Sequence, residues 1–241
     1  MALFVYWYIC EHLYIRDYSK KMITLDDVKK NPQILEFINQ TEQAMEAISY
    51  TNHGLRHSNI VADRAIKLAG EVGLSKREGE LAGIAGFCHD MGNFMTRTYH
   101  HFFGAMLFGQ VFGTAADPKE LAMVIQAISN HDQDEMNFVH PISAILVLAD
   151  KSDVDRSRVA KQSIEKTKED IHDRVNYAAR ESKLKIDKVK KKITLTLKID
   201  TNFCPVIEYF EIFTERMVFC RKAAKFLGYE FGLVINSFRL L

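Results

Sequence analysis

The pair His89-Asp90 closes an apolar run, residues 81–88, and is followed at once by Met91-Gly92. An imidazole and a carboxylate on neighbouring backbone positions, where a buried helix gives way to a glycine turn, offer two ligands of the kind that bind a borderline divalent metal. That placement constrains the fold. A single helix end cannot enclose an ion, so further donors must be delivered by other elements.

Such donors recur along the chain: His57, then His89-Asp90, His100-His101, His131-Asp132 and finally Asp150. Each lies at the edge of an apolar segment, so a helical bundle can turn them all toward one pocket. The segments have helical period. Ile34, Leu35, Phe37, Ile38, Ala44, Met45 and Ile48 form one stripe, and Ile60, Val61, Ala65, Ile66, Leu68 and Ala69 form the next. Residues 78–88 are a third such run, and Gly83 and Gly86 inside it, each costing ~1 kcal/mol relative to alanine, read as close-packing positions. Residues 101–112 form a fourth. Asp117-Pro118 with Glu120 announces a fifth that runs to His131, and Pro141 opens a sixth that ends at Asp150.

The order and spacing of these residues resemble the HD-domain superfamily of metal-dependent phosphohydrolases, over roughly residues 50–156. The resemblance rests most on Gly54-Leu-Arg-His57-Ser-Asn-Ile-Val, on Phe87-Cys-His89-Asp90-Met-Gly92 and on Val147-Leu-Ala-Asp150-Lys. It implies an HD-type helical bundle in which His57, His89, Asp90 and Asp150 hold a first metal, Asp90 bridges to a second, and His100 and His131 complete that second site. His100 is preferred to His101 for its spacing before Gly104. The implied cofactors are one or two divalent transition metals (Fe, Mn, Co, Ni or Zn), magnesium being less suited to so much imidazole. The implied activity is hydrolysis of a small phosphomonoester, nucleotide or cyclic nucleotide by a metal-activated hydroxide. Asp90, His100, His131 and Lys151 are the expected catalytic residues, Arg56, Arg97 and Lys151 the candidates for holding phosphate, and Lys151 with Asp153 the supporting pair around the ligands. Two other functions fit the same ligands: a metal-bound regulatory module that senses a nucleotide without turnover, and a di-iron oxygenase of the HD type.

Departures from the pattern narrow the substrate. Asn93 stands where many relatives have lysine, and the HDxxED element of guanosine-tetraphosphate hydrolases and the glutamate of the 5′-deoxynucleotidase subgroup are absent. Asp132-Gln-Asp-Glu135-Met replaces the DG and GYP signatures of cyclic-di-GMP phosphodiesterases.

The 241 residues, 47% hydrophobic with a net charge of +1, suffice for a sizeable core. So balanced a charge argues against a dedicated nucleic-acid binder, and the lysines between 183 and 198 read as a solvated face. Cys10, Cys88, Cys204 and Cys220 form no CxxC pair, which points to a reducing compartment, and a cytoplasmic location is expected. Cys88 reads as core packing rather than a nucleophile. His53 reads as a capping or supporting residue, and His12, His140 and His172 as surface or structural. The apolar start, residues 2–10, is shorter than the ~20 residues that span a bilayer and is read as a tail packing on the domain or a partner. Met22, before the cap Thr24 and its partner Asp27, is the rival start.

The expected architecture is mainly α: tail 1–21, HD metal-binding helical domain 22–156, charged helical connector 157–190, and a small α+β appendage 191–241. In the appendage, 193–199 alternate with period two as a half-buried strand, 205–227 form a helix stopped by Gly228, and 231–240 a final strand. A homodimer pairing through the appendage and a small phosphorylated substrate are the expected partners; no membrane partner is expected.

Overall fold

The computed structural model describes residues 22–48, 50–133, 136–159 and 164–240, and the tail 1–21 lies outside them. The fold is mainly α with a small α+β unit at its carboxy end. Local chemistry sets the helix starts. Thr24 and Asp27 form a capping box on α1 (Leu25–Lys29), and Asn31 with Pro32 opens α2 (Pro32–Ala47). α3 (Leu55–Val72) is stopped by Gly73, whose φ of +95° favours a residue without Cβ. Ser75 and Glu78 box the start of α4 (Lys76–Cys88).

α4 is the axis of the bundle, buried continuously from Leu81 to Cys88. Gly86 explains how closely α3 approaches it: a Cβ there would stand 3.1 Å from the Ala62 backbone. α5 (His100–Phe112), α6 (Pro118–Asn130) and α7 (Pro141–Lys151) pack around it, α6 opened by Asp117-Pro118 as expected. α7 is buried from Ile142 through Lys151, so Asp150 and Lys151 end up inside the bundle rather than on its surface.

Beyond a 3-10 turn at Arg156–Arg158 come α8 (Ile164–Glu169) and α9 (Ile171–Ala178), then β1 (Ala179–Asp187) and β2 (Lys192–Ile199). α10 (Val206–Phe226), β3 (Glu230–Ile235) and β4 (Phe238–Arg239) complete the chain. The sheet order is β1-β2-β3-β4. β1 and β2 are an antiparallel hairpin, α10 is the crossover that lets β3 pair parallel to β2, and β4 folds back on β3. Ile193, Leu195, Leu197 and Ile199 of β2 turn one buried face inward, as their alternation requires.

Two expectations differ from the structure. The stretch 157–190 is not helical throughout, because 179–187 is an edge strand. Its apolar Leu184 and Ile186 pair with Leu195 and Ile193, and the intervening lysines are the solvated side of that edge. The single final strand over 231–240 is instead a hairpin turning at Asn236 and Ser237, both at positive φ.

Candidate metal centre

His57 sits in the first turns of α3, His89 caps α4 and Asp90 follows it, His100 opens α5, His131 caps α6, and Asp150 ends α7. Five helices thus supply six side chains to one place, and all six are buried. Gly92 makes the turn between α4 and α5 tight enough: a Cβ there would lie 2.2 Å from the His100 carbonyl oxygen and 2.5 Å from the Gly104 nitrogen. The close approach puts His100 against Asp90.

The orientation of the rings follows from their Nδ1 partners. His89 Nδ1 donates to the Gly86 carbonyl (2.8 Å), His100 Nδ1 to that of Arg97 (2.8 Å), and His131 Nδ1 to that of Ile128 (2.7 Å). His57 Nδ1 donates to Asp153 Oδ2 at 2.8 Å. A carbonyl or carboxylate only accepts, so in each neutral ring the proton is on Nδ1 and Nε2 carries a lone pair. Yet His57 Nε2 lies 3.3 Å from His89 Nε2, and His100 Nε2 3.2 Å from His131 Nε2. Two facing lone pairs do not bond each other, so each pair needs a positive charge between its nitrogens, either a proton on one ring or a shared metal cation.

The carboxylates complete two groups. Asp90 Oδ2 is 3.4 Å from His57 Nε2 and 3.2 Å from His89 Nε2, and Asp150 Oδ1 is 3.3 and 3.5 Å from the same two atoms. Donors 2.0–2.1 Å from one ion in tetrahedral array stand about 3.3–3.4 Å apart, so these separations suit a first-row divalent cation. The other oxygen of Asp90 faces the second group: Oδ1 is 3.3 Å from His100 Nε2 and 3.8 Å from His131 Nε2. Asp90 therefore reaches both groups, one oxygen to each. Donor sets His57-His89-Asp90, His89-His131-Asp150 and Asp90-His100-His131 each fall within 4.8 Å, close enough to hold a metal ion.

Electrostatics reinforce the geometry. Burial works against charge on His89, but Asp90 and Asp150 outweigh it and raise the imidazole to about 10. His57 is raised as well, its burial offset by hydrogen bonds to Asp150, Asp153 and Asp90. His131, with burial and the neighbouring cations dominant, is pushed down to about 4. Burial alone would raise Asp90 and Asp150. The surrounding histidines on the first and Lys151 beside the second hold both well below the usual carboxylate range. The centre is built to keep its carboxylates ionised and to attract positive charge.

The supporting residues are partly those expected. Asp153, fully buried, fixes His57, and Lys151 Nζ supports Asp150 (Oδ2, 3.0 Å) while also reaching Asp132 Oδ1 (2.6 Å). Asn93 donates to the backbone and side chain of Asp90 (2.9 and 3.0 Å), so it orients that carboxylate. Arg56 is a correction: its guanidinium is held by Asp153 (2.7 Å) and Asp155 (3.5 Å) behind His57, away from the cleft. His101 belongs to none of the donor groups, and its ring packs on Phe102. Cys88 is fully buried and its thiol pushed up by that burial.

The narrow cleft is lined by His53, Asp90, Arg97, His100, His131 and Asp132 together with Asp150, Lys151, Arg158 and Arg216. Arg158 and Arg216 lie outside the motif region. Arg158 gave no signal, being one arginine in a charged stretch. Arg216 did: Tyr209, Phe213, Arg216 and Cys220 are spaced four, three and four, so a half-buried arginine falls on the face of α10 that carries buried Tyr209, Phe213 and Cys220.

These observations define a buried histidine and aspartate centre, fit for a divalent metal, at the heart of a helical bundle. No protein family profile matches the chain, and no curated protein matches it in sequence. Among the described residues no helix is long and apolar enough to cross a membrane.

Proposed function

We propose that the chain is a metal-dependent phosphohydrolase of the HD type that acts on small phosphorylated substrates. The observation that carries this reading is the division of Asp90, one oxygen toward His57 and His89, the other toward His100 and His131. His57, His89, Asp90 and Asp150 would hold one cation, and Asp90, His100 and His131 a second. Such cations supply Lewis acidity to phosphate oxygens and make water nucleophilic near neutral pH.

The remaining steps belong to the protein's own groups. Asp153 and the three backbone carbonyls hold the imidazoles in the tautomer that presents Nε2, so no ring must reorient during turnover. Lys151 has three N–H donors, and its two carboxylate partners leave one for a phosphoryl oxygen. Hydrolysis forms one P–O bond from water and breaks the P–O bond to the alcohol, and the proton lost by water ends on the departing oxygen. Asp132, with its side chain 26% exposed, 3.7 Å from His100 Nε2 and held ionised by Lys151, is the carboxylate at the open side that can accept a hydrogen bond from the attacking water.

The ten described residues lining the cleft are all charged or titratable, so recognition there is of charge rather than of an apolar base. That favours turnover of a small phosphate over nucleotide sensing. The test is the full chain, purified anaerobically, analysed for metals and assayed on phosphomonoesters and phosphodiesters. Bound metal with hydrolysis that disappears in Asp90→Asn is the expected result; metal-loaded protein inert toward the whole panel overturns it.

A further inference from the structure

We infer that Arg216, carried by α10 of the carboxy-terminal unit, is the residue that docks the phosphoryl group, and that the substrate class is a dianionic phosphomonoester. The inference rests on the phosphohydrolase reading and deepens it. Four cationic side chains line the cleft, and three are already engaged. Lys151 is bound between Asp132 and Asp150. Arg158 is pinned by the Asp153 carbonyl (3.1 Å), the Asn52 carbonyl (3.2 Å) and His53 Nε2 (3.2 Å). Arg97 bonds Asn93 Oδ1 (3.2 Å), faces Asp132 (3.8 Å) and lies over the Tyr50 ring.

Arg216 differs. Among the described residues no carboxylate or carbonyl pairs with it, and its contact is the ring of Phe213, 4.6 Å below the guanidinium. Arg216 is half-buried on the face of α10 between Phe213 and Cys220 and lines the cleft without a protein counter-charge, which leaves its guanidinium open to an incoming anion. Phe213 holds the guanidinium plane while consuming none of its N–H donors, leaving the fork geometry that matches two phosphoryl oxygens. Cys220, one turn on, is fully buried where the charges of Lys151 and Asp150 reach it, so this face of α10 covers the end of α7 at the metal centre.

The charge of the cleft selects the substrate. Four cations oppose three carboxylates, Asp90, Asp132 and Asp150, before any divalent cation enters. A dianionic monoester offsets the resulting excess better than a monoanionic diester, and a phosphoryl group with two or three free oxygens can satisfy Arg216 and Lys151 together.

The experiment titrates inorganic phosphate into the metal-loaded full chain by calorimetry, for wild type, Arg216→Gln and Arg216→Lys, with metal content and the unfolding midpoint measured alongside. Loss of charge-assisted hydrogen bonds should weaken phosphate binding about tenfold or more in Arg216→Gln and less in Arg216→Lys, at unchanged metal content. KM for an aryl phosphomonoester should rise by a similar factor, and that for an aryl methyl phosphodiester much less. Phosphate affinity unchanged in Arg216→Gln, or lost only together with the metal, overturns the docking role while leaving the hydrolase reading intact. Arg216-dependent phosphate binding in a protein that hydrolyses no phosphoester keeps the anion site and sinks the hydrolase.

Discussion

Asp90 and Asp153 are both buried aspartates near histidines, and their different contacts separate their roles. Asp90 faces the Nε2 atoms of His57 and His89 in one group and of His100 and His131 in the other, so Asp90→Asn should remove metal from both groups and abolish turnover. Asp153 touches only the far nitrogen of His57 and the arginines behind it. Its replacement by asparagine should weaken metal binding about 10–100-fold without eliminating it, as removal of a ligand's outer partner generally does. Competition with a chromophoric chelator reads both numbers, and equal losses in the two variants would contradict the assignment. His131→Ala belongs to the same scale. It removes a donor from the Asp90-His100-His131 group and leaves His57, His89, Asp90 and Asp150 in place, so elemental analysis should find one metal fewer per chain than in wild type. Sequence alone reached these six side chains because each ends or begins an apolar run. It misplaced Arg56, whose neighbour in sequence is the candidate ligand His57 but whose guanidinium is drawn to Asp153 from the opposite side of the ring.

The turn between α4 and α5 and the body of α3 make opposite predictions for the same substitution. Gly92→Ala forces a methyl group into the His100 carbonyl, 2.2 Å away, and backbone on both sides leaves little room to yield. A cost of about 1–3 kcal/mol is expected, together with reduced occupancy at the His100 and His131 side. Gly70, exposed in α3 with nothing within 4 Å of an added Cβ, should respond to alanine with a gain of about 0.5–1 kcal/mol, because the helix loses a flexible residue and gains no clash. Urea midpoints for the two variants should move in opposite directions. The helices were legible because their starts are written in side chains that satisfy free N–H groups: Thr24, Asn31, Ser75 and Asp117. β1 was not, because Lys183, Lys185 and Lys188 around Leu184 and Ile186 have the composition of a solvated helix, and its strand character comes from pairing with β2, a partner beyond the reach of local pattern. The same reason hid Arg158, whose three acceptors lie in segments distant from it or in backbone alone.

At the scale of the whole chain, the candidate metal centre is where the helical layers are joined. α3, α4, α5, α6 and α7 each end or begin at a donor, and without a cation that junction sets ionised Asp90 and Asp150 and four buried imidazoles against one another. The β2-β3 pairing and the buried face of α10 from Tyr209 to Ala224 depend instead on apolar packing. Removing metal should therefore lower stability unevenly. A chelator should depress the thermal midpoint, and restoring a divalent cation at a hundred times its Kd should return about 2.7 kcal/mol if the cation binds only the folded chain at one site, and more if two are filled. Amide exchange should locate the loss: protection should fall most around His89 to Asn93, His100 and His131, where helix ends converge, and least in 193–197 and 231–235, where β2 and β3 pair. A uniform loss over both regions would mean that bundle and sheet unfold as one unit and that the carboxy-terminal face around Arg216 is held in place by the same cations that the histidines bind.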